Sequence, residues 1–520
     1  MEYHNPSEIV KDLSFGDDAV EKIAEGVNIL AQAVRSTLGA SGKCVIFEDA
    51  LGRPVITKDG VTVAESVVLH DPVQNIGATL IKEAARKTVK EAGDGTTTAT
   101  ILAQAILARV YKEGPPSGAT PREIKEGILK ATTKVLEYLD GIKITVEGDM
   151  LTNVANISCN SDIALGTLIA DAFNAVGKNG VVLLEESDSG DTFVDVVDGI
   201  QVDSGNKSPH LHTDKEKEIT ELEKPLVLVV ASPIPNVRRI QSILEYVIKT
   251  KRSLLIVAAM EQQPFATLLM NKVKGNIKVN IIDPPGFGPT KRDTMEDLAA
   301  ITGATIMDEE LGDDMDMISP DVLGECLLSI TDDKNTVITV ESIPQAATER
   351  IDIAEKKLKA ETNPFIAKKL EQRLAMLSGK VAVVKVGAGS KIELKEKYDR
   401  AEDAIYATKA ALKEGIVPGG GVALLNASER VSRGSVGETI LLDAIAEPFK
   451  AVLQNALLQV PDAKNKKGWG VDATTGKSVN MIKAGIIDPV LVTKTALKNA
   501  VSVVNTIVSA DCVISNVREV

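Results

Sequence analysis

Residues 92–100 read AGDGTTTAT. One carboxylate, Asp94, stands between Gly93 and Gly95. Three hydroxyls, Thr96, Thr97 and Thr98, follow where the helical run ILAQAILARVYKEG begins. A helix N-terminus offers unpaired N–H groups and a positive dipole end, so it attracts phosphate. The glycines let the backbone come close, and the threonines add donors. A carboxylate beside a phosphate repels it unless a cation lies between them, and a bridging Mg²⁺ removes that conflict. The same residues would also serve an ordinary N-capped helix, although a cap needs only one of them. Two more glycine-rich breaks, TLGASGK (37–43) and VPGGGVA (417–423), also fall beside helical runs. Each is weak alone, and together they favour a convergent nucleotide pocket. Two further acids stand out. Asp59 lies in TKDG beside Lys58, and Asp403 lies in RAEDAIYATKAAL. By residue type alone, Asp59 reads as a turn former and Asp403 as part of a solvated helix face. GVDATTGKS (470–478) falls short of a P-loop, because five residues separate Gly470 from Gly476 where the motif has four, and no clear strand precedes it. VGAGSK (386–391) lacks the third glycine of a dinucleotide fingerprint.

The elements that must position these residues follow from hydrophobic period. Val20, Ile23, Val27, Leu30, Val34 and Leu38 share one face of a helix over 17–38, which Gly39 and Gly42 end. KCVIFED (43–49) and PVITKDGVTVAESV (54–67) read as short strands, with Asp59-Gly60 as a turn. A helix is predicted over 73–91, and the helix after the motif should stop at Gly114-Pro115-Pro116. The middle of the chain is richer in strands: GVVLLEES, FVDVVDGIQV, PLVLVVAS, SLLIVAAM and KVNIIDPPGFG, with helices at 236–250 and 263–274. Charged helices at 346–377 and a strand at 381–390 follow. Helices return at 399–414, 437–459 and 491–509. This pattern predicts a multidomain α and α/β protein, with an α/β domain inserted in a helical one whose two halves meet in space.

Composition bounds the function. At 520 residues the chain is too long for one core. With 59 basic and 73 acidic residues its net charge is −14, which argues against a nucleic-acid binder. Cys44, Cys159, Cys326 and Cys512 are far apart and form no metal-ligand spacing, so free thiols are expected. The N-terminal stretch lacks a signal-peptide core and no apolar run is long enough for a bilayer. A soluble, cytoplasmic protein is expected, with no membrane partner.

The motifs together resemble the group I chaperonins. TLGASGKCV, ITKDGVTVA, AGDGTTTATILAQAI, PPGFG (284–288), EDAIYATKAALKEGIVPGGGVAL (402–424) and GIIDPVLVTKTAL (485–497) match that family in order across nearly the whole chain. The resemblance implies a chaperonin fold of three domains. These are a helical equatorial ATPase domain (1–141 and 415–520), a small intermediate hinge domain (142–189 and 377–414) and an inserted α/β apical domain (190–376). It implies ATP as the nucleotide and Mg²⁺ as the metal, and admits K⁺. It also implies homo-oligomeric, heptameric rings that enclose non-native polypeptides and promote their folding.

Site residues carry over by similarity. Thr37, Leu38, Gly39 and Ala40 would line the phosphate and base region, with Lys58 near the phosphates. Asp94 would be the Mg²⁺ ligand, and Gly95, Thr96, Thr97 and Thr98 would wrap the phosphates. Gly420 would contact the ribose side, Asp472, Ala473 and Thr474 the adenine, and Asp488 the ribose. Asp403 would position the attacking water with help from Asp59. The polypeptide-binding groove would use Leu211, Leu244, Phe265, Leu269 and Met270. There the chain departs from the family, because Asn206, His210 and Gln241 replace apolar positions and NKSPHLHTDKEKE (206–218) is hydrophilic. KEGPPSGATP (112–121) and NALLQVPDAKNKKGWG (455–470) differ at the ring-to-ring contacts, and the family's C-terminal Gly-Gly-Met tail is missing. Such departures suit a virus-encoded or paralogous member, with a narrow client range, single rings and independence from a co-chaperonin as the alternative reading.

Overall fold

The computed structural model describes residues 10–516 apart from 50, 160–161, 178–180, 188–189, 216, 286–288, 315–317, 361–369, 371–372, 375–376, 378–379 and 461–465. The last three residues of PPGFG (286–288) and parts of the 346–377 and 455–470 stretches therefore lie outside the described residues. The chain forms two compact units: Met1–Asp171, Glu186–Thr192 and Val386–Val520 make unit one, and Ala172–Glu185 and Phe193–Lys385 make unit two. The segments expected to form a hinge domain, 142–189 and 377–414, fall largely within unit one.

Unit one opens with β1 (Lys11–Phe15) and α1 (Gly16–Arg35), then the hairpin β2 (Val45–Glu48) and β3 (Pro54–Thr57). Next come α2 (Gly60–Ser66), α3 (Pro72–Ala92), α4 (Thr96–Ser117), α5 (Pro121–Ile142) and α6 (Met150–Ser158). Thr120 and Glu123 start α5 with a capping box. Two expectations need correction. VTVAES is the helix α2, not a strand, because the Asp59 carboxylate caps it by accepting the Val61 and Thr62 N–H groups. The helix after the motif runs through Gly114-Pro115-Pro116 to Ser117. Prolines in a last turn remove few hydrogen bonds, and the Ser117 hydroxyl donates to the Gly114 carbonyl.

The helix α7 (Ile163–Val176) leads to unit two. Its elements are β4 (Val181–Glu186), β5 (Phe193–Val202), β6 (Thr220–Glu223), β7 (Leu226–Val229), α8 (Gln241–Thr250), β8 (Leu254–Val257), α9 (Gln262–Val273), β9 (Val279–Ile282), α10 (Pro289–Thr302), β10 (Gly324–Glu325), β11 (Leu328–Thr331), β12 (Thr336–Val340), α11 (Gln345–Ala360) and β13 (Lys380–Val386). One sheet has the order β10-β7-β8-β9, with β7, β8 and β9 parallel. These strands are buried throughout, as parallel strands covered on both faces must be. Leu226, Leu228, Leu254 and Ile256 pack with Ile243 of α8 and Leu268 of α9. Their neighbours Val227, Val229, Leu255 and Val257 face Met295 and Leu298 of α10. The second sheet has the order β4-β13-β5-β12-β11-β6.

Unit one resumes with α12 (Lys391–Glu414), β14 (Ile416–Pro418), α13 (Val422–Arg430), α14 (Val436–Ala444), α15 (Glu447–Asn455), β15 (Trp469–Val471), β16 (Ser478–Asn480), β17 (Ile487–Pro489), α16 (Val490–Ile507) and β18 (Cys512–Asn516). The single helix expected over 437–459 breaks into α14 and α15 at Ile445-Ala446. The two sequence halves share one core: Leu30, Ile81, Leu102, Ile106 and Ile128 from the first meet Leu441, Leu497 and Val501 from the second. The termini pair as well, β1 against β18, with Leu13 opposite Ile514. The multidomain helical and α/β fold is thus as the sequence implies.

Asp297 on α10 is 2% exposed. Its carboxylate accepts Nε–H groups from Arg350 at 2.5 Å and Arg373 at 2.6 Å. Removing it takes the buried partner from two partly buried guanidinium groups and leaves them the more exposed Glu296 and Asp293. Asp297→Ala is expected to destabilise the chain by about 3 kcal/mol, as for other broken buried ion pairs. Calorimetry checks this, and a melting temperature equal to wild type contradicts it.

Candidate functional site

The site lies in unit one around the N-terminus of α4. Gly93 ends α3 with φ 76°, and Gly95 precedes the first turn of α4. No protein acceptor takes the Thr96, Thr97 or Thr98 N–H groups among the described residues, as expected for a first helical turn. The Asp94 carboxylate accepts the Gly95 N–H and so is turned toward that helix end. Three other segments converge here. The first is the β3–α2 junction. A Cβ on Gly60 would lie 2.4 Å from Thr97 Oγ1, so only glycine lets the Asp59 cap sit so near the cradle. Both Asp59 oxygens serve that cap, with the Thr62 hydroxyl donating at 2.6 Å. Lys58 is half-buried at the same junction, and no carboxylate pairs with it among the described residues.

The second segment is α12. A Cβ on Gly93 would lie 2.4 Å from Tyr406 Cβ. Tyr406 is one turn beyond Asp403, so this contact brings the Asp403 face of α12 against the motif. The third is the β14–β17 pair, where Asp488 is in register with Val417. The amides of Gly420 and Gly421 in the turn before α13 face the Asp488 carboxylate. The loop 37–40 closes the cradle through Thr37 Oγ1, which lies 3.4 Å from Thr97 Oγ1.

The electrostatics record how tightly these acids converge. Burial raises the Asp94 carboxyl above its usual range, against the Gly95 amide, and the Asp59 charge raises it further. Burial holds Asp403 well above that range, with added repulsion from Asp94, Asp59, Glu402 and Asp399. Asp488 is pushed up to about 7 by burial and Asp94, although the Gly421 and Gly420 amides pull it down. Each keeps part of its surface open to solvent. No lysine, arginine or histidine pairs with Asp59, Asp94, Asp403 or Asp488 among the described residues. Four acids against a bare helix N-terminus fit a divalent cation carried in with phosphates. No group of three or more protein acids forms a cage that would hold the metal alone among the described residues.

The hairpin β15–β16 stands beside the Gly420 turn, because Val471 and Val479 pack against Val422, Phe449 and Met481. Asp472 accepts from Thr474 N–H at 2.8 Å and the Thr475 hydroxyl at 2.7 Å. Burial would raise its carboxyl, but these hydrogen bonds hold it below the usual range. A short strand does precede this segment, contrary to expectation, and it leads into a hairpin rather than a helix. Asp472, Ala473 and Thr474 thus form a fixed turn. Sequence reasoning missed Tyr406, whose one-turn spacing from Asp403 was the available signal. The helix expected over 491–509 is α16, and its packing against the motif was not expected: Val492 and Ala496 lie against Gly95, and Asn499 donates to Thr88 and Glu91.

The residues expected to bind polypeptide all lie in unit two. Leu211 and Leu244 are 0% and 8% exposed, which removes them from any surface. Leu244 belongs to the core beneath α8, and Phe265 is a partly buried residue packed against that core. Leu269 is half-buried and Met270 exposed. Asn206 is spent internally: its amide donates to the Thr331 carbonyl and its oxygen accepts from the Thr220 hydroxyl.

The family profile described as the TCP-1/cpn60 chaperonin family matches residues 30–518. Among solved structures, the chain is similar to the chaperonin gp146 from the bacteriophage EL 2 (Pseudomonas aeruginosa) in the presence of ATP-BeFx. For crystal form II the TM-score is 0.70 at 22% identity, over 96% of this chain and 98% of that one. For crystal form I it is 0.64 at 22% identity, over 97% and 99%. This likeness concerns the fold. No helix among the described residues is long and apolar enough to cross a membrane.

The Asp488 carboxyl sits at about 7 in the folded chain and at 3.8 ordinarily. Between those values the folded chain holds a proton that the unfolded chain has released, so this group's stabilisation is complete at low pH and lost as pH rises through about 7. Without nucleotide, Asp488→Asn is expected to be more stable than wild type at pH 8, by about 1 kcal/mol or more. The gap should close toward pH 5. Urea unfolding at both values checks this, and a gap independent of pH contradicts it.

Proposed function

The chain belongs to the TCP-1/cpn60 chaperonin family, and on that premise we propose that it is an ATP-driven chaperonin that binds non-native polypeptides and promotes their folding through ATP binding and hydrolysis. The observation that carries this reading is the convergence of Asp94, Asp403, Asp488 and Asp59 on the bare N-terminus of α4. The Thr96, Thr97 and Thr98 amides and hydroxyls would hold the phosphates, and Asp94 would hold Mg²⁺ with Lys58 nearby. The metal would supply charge neutralisation of the phosphate oxygens. Asp488 and Gly420 would take the ribose side, and the loop 37–40 and the 472–474 turn the base. Asp403 would orient the attacking water and accept its proton, with Asp59 fixing the entry of α2 beside it. The solved relative was crystallised in the presence of ATP-BeFx, which supports a nucleotide in this fold.

Ring assembly is supported by two ribbons of unit one. Leu13, Phe15 and Ile514 on β1–β18 are 49–59% exposed, and Ile46 and Ile56 on β2–β3 are at least 50% exposed. Two-stranded ribbons with apolar faces and open edges need cover, and neighbouring copies in a heptameric ring would supply it. The client surface falls on α9. Ala266, Leu269, Met270 and Val273 follow i, i+3, i+4, i+7 spacing on the side away from buried Pro264 and Leu268. Met270 and Val273 are 58% and 68% exposed. A narrow client range is favoured by the 206–212 segment, where Leu211 is buried and exposed His210 stands in place of an apolar anchor.

Asp94→Ala is expected to abolish Mg²⁺-dependent ATP hydrolysis. Asp403→Ala should still bind ATP but turn over at least about 100-fold more slowly, because its carboxylate acts on the water rather than on the nucleotide. Steady-state ATPase assays with nucleotide titration decide this. Normal turnover in either variant removes the basis for the site.

Replacing Leu269, Met270 and Val273 together with Ser should weaken capture of a denatured model protein by about tenfold or more while hydrolysis continues. Equal capture by the triple variant and wild type places the client surface elsewhere.

A further inference from the structure

We infer that Asn455 is a positioning residue for the nucleotide: from the end of α15 it fixes the 37–40 loop, while Leu458, just past that helix, packs beside the 472–477 turn. The inference rests on the reading of unit one as a nucleotide site. The Asn455 side-chain amide donates to two main-chain carbonyls, Arg35 O at 2.9 Å and Leu38 O at 2.8 Å. Arg35 is the last residue of α1, and a helix leaves its final carbonyls without intrahelical partners. Both amide hydrogens are thus used to shape the loop that leaves α1. One turn earlier on α15, Val452 abuts the loop itself, since a Cβ on Gly39 would lie 3.2 Å from Val452 Cγ1.

The same helix is locked against α1 from both ends. The Arg35 guanidinium donates to Glu447 at 2.7 Å and to Gln454 at 2.8 Å. Glu447 is the first residue of α15, and Gln454 stands next to Asn455. Just past α15, Leu458 joins the cluster of Val422, Phe449 and Met481 under the hairpin. A Cβ on Gly476 would lie 3.4 Å from Leu458 Cδ2, and the Gly476 N–H donates to the Asp472 carbonyl. The end of α15 and the residues just past it therefore touch two segments from opposite ends of the sequence, the 37–40 loop and the 472–477 turn.

This arrangement separates binding from chemistry. Asp94 and Asp403 lie on the α3–α4 turn and on α12; α15 packs along α4, but no hydrogen bond from α15 reaches either carboxylate among the described residues. Asn455 fixes the loop that reaches Thr97 through Thr37. Loss of its two donors frees the loop to sample other conformations, which lowers the fraction of chains competent to bind. Once nucleotide is bound, the carboxylates act as before.

The test uses the full chain, with Asn455→Asp and Asn455→Ala compared with wild type in steady-state ATPase assays and in titrations with Mg·ADP. The KM for ATP and the Kd for ADP should rise about tenfold, as for the loss of two neutral hydrogen bonds, with kcat within about twofold of wild type. Val452→Ala opens space beside Gly39 without touching the amide, and should raise KM in the same sense if the Asn455 variants do not fold. Unchanged KM in a folded variant overturns the inference, and so does a fall in kcat at unchanged KM. Failure of wild type to bind nucleotide overturns the site reading and the inference with it. Binding by wild type with unaltered variants overturns the inference alone.

Discussion

Mutual repulsion among four carboxylates is the constraint on which unit one depends. Asp59, Asp94, Asp403 and Asp488 come from four separate stretches of chain, and Asp94 feels the charge of Asp59 while Asp403 and Asp488 feel that of Asp94. Burial removes the water that would screen them, so Asp94, Asp403 and Asp488 hold their protons more tightly than free carboxyls do. No such cluster assembles unless the rest of the fold forces it. The force comes from the shared aliphatic core, in which Leu30, Ile81 and Leu102 pack against Leu441 and Leu497. Tens of buried side chains at about 1.5–3 kcal/mol each outweigh the repulsion among a few carboxylates. The strain is local, and the core that imposes it is not.

Close backbone approach converts that force into geometry. Gly60 lets the cap of α2 touch Thr97, and Gly93 lets α12 lie on the end of α3. Any side chain at either position would push one carboxylate away from the rest. The Asp59 cap has the same character. It is a structural hydrogen-bonding group for α2, and its charge also raises Asp94 and Asp403. Structural and chemical roles therefore coincide in one side chain. Weighing Asp59 as either a turn former or a reactive acid missed that it can stabilise a helix and shape the field of the site together.

Much of this was legible in the sequence, for identifiable reasons. The motif AGDGTTTAT is local, so the glycine-flanked acid and the helix start could be read from adjacent residues. The buried parallel strands were legible because continuous apolar runs such as LVLV and LLIV have few other uses. Contacts between distant segments were not legible. Nothing in QNA marks Asn455 as a partner of Arg35 and Leu38, more than four hundred residues away. VTVAES alternates like a strand, and only the cap at Asp59 makes it helical. In unit two, apolar identity did not reveal exposure. Leu211 and Leu244 were equal candidates with Met270 by residue type, yet two are core and one faces solvent.

The raised carboxyls also bear on how the site would change state. Burial and neighbouring charge both favour the protonated form of Asp94, Asp403 and Asp488. A divalent ion entering with phosphates would instead favour the ionised forms, and the displaced protons would leave to solvent. Binding energy then depends on how many of the four acids remain close enough to feel the ion. Asp94 and Asp488 sit on segments held by α3, α4 and α16, whereas Asp403 rides on α12, a helix of 24 residues. That helix is tied to the same core: Ala407 and Ala411 pack with Val154 and Ile487, and Ala410 meets Ala92 and Val492. Aliphatic packing of this helix thus holds the Asp403 carboxylate against the repulsion of Asp94 and Asp59, and an ion entering with phosphates would relieve a repulsion that the fold has already set in place.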